Sequence, residues 1–191
     1  RKGHSVICRA RRSGGRGGGV MIRTILATGL AQGKLSNGMS TIYQRISTAK
    51  EPGTVVEQFS WRQWEEIPQL AERLANSHVK AEDRLVFAGH SWGVWYLNRL
   101  GVALGELGVG QLRLFSADGV NRPPKATMVI AHSFSDVWRW RQEHGLIRGS
   151  DMLLPSGCRL HIDELVECHH VQVDETPAFQ DSVVKWALGK E

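Results

Sequence analysis

A serine framed by two glycines, Gly89-His90-Ser91-Trp92-Gly93, follows directly on the apolar run Leu85-Val86-Phe87-Ala88. Glycine on both flanks lets an incoming strand and an outgoing helix pass close to the serine, and a turn of that kind strains the serine backbone and exposes its hydroxyl. The stretch after it, Val94 to Leu104, is apolar on nearly every side, as a helix sandwiched in an α/β protein is. The pattern therefore predicts strand, sharp corner and helix, with Ser91 at the corner. A serine hydroxyl is a poor nucleophile unless a histidine takes its proton, and that histidine needs a carboxylate to hold its tautomer and stabilise the imidazolium. The competing reading is a tight turn in which Ser91 merely caps the next helix. The legible strand before and helix after favour the nucleophile.

Among eight histidines, His169 and His170 stand in a loop between the last expected strand and the closing helix, and His170 is the candidate base. Two aspartates can serve as the acid. Asp118 follows the first strand after the nucleophile helix, and Asp136 follows the second. Each also has a plain reading as an Asx-turn residue that organises a loop. The oxyanion formed during acyl transfer needs backbone donors, for which the N–H of Trp92 and that of Leu30, or of Ala31, are placed after the serine and after the first strand.

Other chemistries fit less well. Gly29-Leu30-Ala31-Gln32-Gly33-Lys34 resembles a phosphate-binding loop, but it has three residues between its glycines rather than four, and Leu35 stands where Ser or Thr is required. His161, Asp163, Glu164, Glu167, Cys168, His169 and His170 are residue types that suit zinc, yet no standard ligand spacing links them. A strand over 161–166 would also split them between two faces. No metal and no cofactor is expected.

The elements that must position these groups follow in order. Ile22 to Thr28 reads as the first core strand, ending at Gly29, and Met39, Ile42, Tyr43 and Ile46 share one helical face. Thr54 to Phe59 is a strand, and Ile67, Leu70, Ala71 and Leu74 define a second helix. Between them, Trp61 and Trp64 suit packing against the sheet edge or a pocket wall. Leu112 to Ser116 and Thr127 to Ala131 read as further strands, Trp138 to Gly157 as an irregular stretch with a short helix, and Arg159 to Val166 as the edge strand. Phe179, Val183, Val184 and Ala187 close the chain with an amphipathic helix. Strands alternating with helices at this spacing predict a mostly parallel sheet covered by helices on both faces.

The chain has 191 residues, 41% of them hydrophobic, which suits a single domain over 21–191 with a sizeable core. Its net charge of +5 suggests nucleic acid, but six of the 24 basic residues lie in residues 1–20 beside no acidic residue. The body then holds 18 basic and 19 acidic residues and expects no nucleic-acid partner. Residues 1–20 form an Arg/Gly-rich segment expected to be disordered, read as upstream sequence or a fragment's edge because the first strand starts just after Met21. No apolar run reaches the length of a membrane span, no secretory signal is legible, and three cysteines build no disulfide framework. A cytoplasmic protein is expected.

Gly89-His90-Ser91-Trp92-Gly93, the early strand-Gly turn and the late His loop together resemble the α/β-hydrolase superfamily, specifically its small lipase- or esterase-like members of bacteria and phages. The resemblance spans about residues 22 to 188. Asp118-Gly119-Val120 resembles the Asp-Pro-Val element of those members, with Gly in place of Pro, and His170-Val171-Gln172-Val173-Asp174 resembles their late histidine element. Thr28-Gly29 departs from the His-Gly of many members. The resemblance implies a compact α/β-hydrolase fold, and the short chain leaves little room for a lid, so an open site is expected. The resemblance favours Asp118 over Asp136 as the acid, and implies a serine hydrolase acting on a small or lipid-like ester or thioester through an acyl-enzyme. Trp92, Trp95 and Trp138 are candidates for an apolar wall. The rival from another class is a non-catalytic binding module on the same fold.

Overall fold

A computed structural model describes residues 20–30, 36–77, 83–122, 126–143 and 147–190. Residues 1–19 of the Arg/Gly-rich segment, and Ala31 as an oxyanion candidate, lie outside the described residues. Six parallel strands form the central sheet: β1 Ile22–Thr28, β2 Thr54–Ser60, β3 Arg84–His90, β4 Leu112–Ala117, β6 Phe134–Arg141 and β8 Arg159–Leu165, in the order β2-β1-β3-β4-β6-β8. Two further strands of two residues each, β5 Met128–Val129 and β7 Met152–Leu153, pair with one another outside that sheet. The helices are α1 Gly38–Ala49, α2 Ile67–Ser77, α3 Trp92–Glu106 and α4 Pro177–Ala187, with 3₁₀ turns at Trp61–Glu66 and His170–Glu175. Among the described residues, no helix is long and apolar enough to cross a membrane.

The period-2 alternation of each strand feeds two separate cores. Ile25, Ala27, Leu85, Phe87, Leu112 and Leu114 pack with α2 and α3 through Leu70, Leu74, Leu97 and Leu100. Leu26, Val86, Ala88, Phe115 and Ala117 point the other way, onto α1 and α4 through Met39, Ile42, Phe179 and Val183. Both faces are thereby covered, which is why β3 reads as a continuous apolar run over Leu85–Ala88. After β1 the chain steps outward to β2, then crosses back to place β3 on the other side of β1. That reversal leaves a crevice at the carboxyl ends of β1 and β3, where open parallel sheets place ligands.

Two expectations are corrected. Thr127 to Ala131 is no strand of the main sheet. Asn98 of α3 holds this segment instead, its side chain donating to the Val129 carbonyl at 2.9 Å and accepting from the Ala131 N–H at 2.8 Å. The place beside β4 belongs to Phe134–Arg141, part of which reads as irregular in sequence. Its Asp136, Arg139 and Arg141 disguise it: Asp136 binds Arg159 and His161 of the exposed edge strand β8, and both arginines pair with Asp163 of that strand.

Gly93 separates packing from strain as reasons for a glycine. A Cβ there would overlap the Ala27 carbonyl oxygen at the end of β1, a backbone contact that cannot swing aside. Gly108 has φ +79 with open space around it. Gly93→Ala should cost about 3 kcal/mol or more, and Gly108→Ala about 1 kcal/mol, in urea unfolding of each variant. Equal losses at the two positions would show that α3 can withdraw from β1.

Candidate active site

Ser91 occupies the corner between β3 and α3 with φ 55° and ψ −126°, a region that side chains other than glycine rarely adopt. Three backbone bonds hold it there: its N–H donates to Ala117 O at the end of β4 (3.1 Å), and its carbonyl accepts from Val94 N–H (3.1 Å) and Val120 N–H (3.0 Å). The neighbouring glycines make room. A Cβ on Gly89 would lie 3.0 Å from the backbone of Gly93 and Val94, and one on Gly29 would lie 2.7 Å from Ser91 Cβ and 3.3 Å from its Oγ. The turn after β1 therefore stands directly beside the hydroxyl.

His170 opens the 3₁₀ turn that follows β8, and its Nε2 lies 2.9 Å from Ser91 Oγ. Its Nδ1 lies 2.6 Å from Asp118 Oδ2. A carboxylate can only accept, so the proton sits on Nδ1 and Nε2 is left as an acceptor for the serine O–H. Asp118 follows β4 with φ 43° and is fully buried. Its carboxylate also accepts from Gly149 N–H (3.0 Å), Gln142 Nε2 (3.0 Å) and Gln142 N–H (3.4 Å). Burying a carboxylate costs several kcal/mol unless donors replace its water, and these donors do so while fixing the direction in which it faces His170. Gly149 must lack a side chain, since a Cβ would overlap Asp118 Oδ1.

Asp136 is placed elsewhere. It is the third residue of β6, toward the opposite end of the sheet, about 20 Å along the strand from Gln142 at 3.3 Å per residue. Its carboxylate binds Arg159 (2.7 Å), His161 (2.6 Å) and the Ser135 hydroxyl (2.7 Å), and these partners hold it below the ordinary carboxylate pKa against the opposing effect of burial. Its loop reading fails because Phe134 already begins the strand. Farther along β8, Asp163 pairs with Arg139 and Arg141, and Glu164 accepts from the Trp140 indole N–H.

Trp92 and Leu30 flank the serine. As the first residue of α3, Trp92 has an N–H with no preceding helical turn to accept it. Leu30 lies in the turn after Gly29, 53% exposed. Ser91 and His170 are 7% and 8% exposed. Trp138 is no part of a wall here, for it stacks on Phe115 at 4.5 Å within the core. Trp61 meets Trp92 edge to face at 4.6 Å, whereas Trp64 is exposed.

Three contributors escape a reading by motif. His90, the residue before the serine, donates from Nε2 to the carbonyl of His170 at 2.7 Å, with the two rings 4.9 Å apart. Its Nδ1 faces Asp174 Oδ1 at 3.9 Å, and Asp174, fully buried, receives the Ser36 hydroxyl at 2.7 and 2.8 Å on its two oxygens. A second buried histidine and carboxylate thus clamp the backbone of the turn that carries His170. The signal in sequence was a histidine beside Ser91 and an aspartate four residues after His170, but nothing in the spacing joins either to Ser36. No family model matches this sequence, and no curated protein is significantly similar to it.

Burial pushes the His90 pKa below its ordinary value, against the opposing pull of Asp174. A histidine whose folded pKa is depressed binds its proton more readily when unfolded, so its neutral form supports the fold above about pH 6.5 and that support drains as pH falls toward the depressed value. The unfolding free energy from urea titration should therefore drop between about pH 7 and pH 5.5, and drop less in His90→Asn. Identical slopes in the two proteins would remove His90 from that account.

Proposed function

We propose that this chain is a serine hydrolase of the α/β-hydrolase type, cleaving an ester or thioester through an acyl-enzyme. The observation that carries the reading is the continuous relay from Asp118 Oδ2 through His170 to Ser91 Oγ, at 2.6 and 2.9 Å, ending on a serine at a positive-φ strand-to-helix corner. A helix-capping serine would need neither the histidine nor the buried acid behind it.

In this reading Ser91 Oγ attacks the acyl carbon while His170 Nε2 takes its proton. The Asp118 carboxylate stabilises the imidazolium that results. The N–H groups of Trp92 and Leu30 receive the charge developing on the carbonyl oxygen. The tetrahedral intermediate collapses, Nε2 returns the proton to the leaving alcohol or thiol, and the acyl group stays on Ser91. Water deprotonated by the same Nε2 then releases the acid and regenerates the serine. The chemistry uses side chains and backbone alone, so no cofactor enters. Cys158 and Cys168 are free thiols, which suits the reducing cytoplasm to which we assign the protein.

Labelling by a fluorophosphonate probe tests the reading, with turnover of a short p-nitrophenyl ester alongside. The wild-type chain should label, and Ser91→Ala and His170→Ala should not. Well-folded wild type that neither labels nor turns over ester would return the chain to the class of binding modules. The two aspartates should separate in the same assay. Asp118→Asn should lower kcat by about 10³-fold or more, as loss of the correct tautomer does in such triads. Asp136→Asn should weaken the fold while leaving an active serine.

A further inference from the structure

Beside the nucleophile, three indoles converge on one guanidinium. Arg122 Cζ lies 5.1 Å from the Trp61 ring centre and 5.3 Å from those of both Trp92 and Trp95. Arg62 brings a second guanidinium to 5.8 Å from the Trp61 ring. Among the described residues neither guanidinium has a carboxylate partner, although most of the ion-paired arginines of this molecule lie within 3.1 Å of one.

The backbone presents Arg122 rather than leaving it to wander. Val120 N–H is bonded to the carbonyl of Ser91, Asn121 N–H to the Ser150 hydroxyl at 2.9 Å, and Arg122 N–H to Asn121 Oδ1 at 2.8 Å. Asn121 also donates from Nδ2 to Thr127 O at 3.0 Å. Trp92, whose N–H the proposed reaction assigns to the oxyanion, carries Arg122 on its ring. The cation is one side chain away from the reacting centre.

Indole faces hold a guanidinium in its plane by cation–π attraction, and they leave its N–H groups at the rim free to donate. Such a group has already lost most of the rotamer freedom that binding would cost, so it is preorganised for a planar oxyanion. We propose that Arg122, stacked among Trp61, Trp92 and Trp95, binds a carboxylate or phosphate group of the substrate, so that the preferred esters are anionic. The inference rests on the acyl-transfer reading of Ser91. Arg62 adds positive potential to the same rim.

Matched ester pairs provide the test: p-nitrophenyl pentanoate against mono-p-nitrophenyl glutarate for charge on the acyl side, and phenyl acetate against 3-acetoxybenzoate for charge on the alcohol side. In wild type at least one anionic ester should exceed its neutral partner in kcat/KM by roughly tenfold or more, the range of one charge-assisted hydrogen bond. Arg122→Gln should bring that ratio to about one, and Arg122→Lys, which keeps the charge without the fork, should retain part of it. No anionic preference in wild type, or a preference that survives in Arg122→Gln, overturns the proposal. Binding without turnover separates it from the catalytic reading. Glutarate and inorganic phosphate, titrated against tryptophan fluorescence in Ser91→Ala, should give a saturable change that Arg122→Gln abolishes, and the tighter of the two identifies the oxyanion. A saturable change in a chain that fails to label with fluorophosphonate keeps the anion site and removes the hydrolase; its absence in a chain that labels does the reverse.

Discussion

The site depends on a close approach of backbones that only glycine permits. Gly93 sets the first turn of α3 against the end of β1, Gly89 lets that turn fold back over β3, and Gly29 brings the turn after β1 against Ser91. Between them Ser91 is forced to φ 55°, a conformation that costs on the order of 1–3 kcal/mol and persists because surrounding hydrogen bonds over-determine it. The strain is therefore stored where the chemistry is expected and compensated by ordinary sheet and helix packing on both sides. Ser91 at that corner meets the turn after β1, the end of β4 and the turn after β8.

His170 has to be delivered there by a short 3₁₀ turn, an element with little stability of its own. Two buried carboxylates divide the task. Asp118 holds the imidazole ring from one side, and Asp174, with Ser36 and His90, holds the backbone of the same turn from the other. The last two residues before α3 thus have linked roles, His90 gripping the turn that carries His170 and Ser91 facing the His170 ring itself. Movement of β3 relative to the His170 turn would disturb both contacts together, so the 2.9 Å separation of serine and histidine is maintained by the sheet and not by the loop alone.

Much of this was legible in the sequence where a single physical requirement left a local trace. The G-x-S-x-G corner, the apolar strand before it and the helix after it are such traces, as are the periodic faces of α1, α2 and α4. The edge position of β8 was legible too, from its mixed polarity. What was not legible depends on pairing across the chain. Phe134–Arg141 carries charges that pair with the exposed edge strand beside it, and no local window reveals which strand that is. Ser36, Gln142 and Gly149 act through partners between 24 and 138 residues away, and single-sequence reasoning has no means to join them. Thr127 to Ala131 misled for the opposite reason: Met128, Ile130 and Ala131 are real core residues, but the segment is held to α3 through Asn98 and not to a neighbouring main-sheet strand.

The position of Asp118 follows from the same sheet geometry. An aspartate after β4 and one after β6 are equivalent in principle, since both strands end at the carboxyl edge beside His170. In this chain the end of β6 is occupied by Gln142, which donates both its backbone N–H and its side-chain amide to Asp118. A carboxylate at that place would face Asp118 across the distance now spanned by those bonds, and two buried like charges so close cannot both ionise. The donor after β6 and the acid after β4 therefore specify each other, and Asp136 is left free to organise the far end of the sheet with Arg159 and His161.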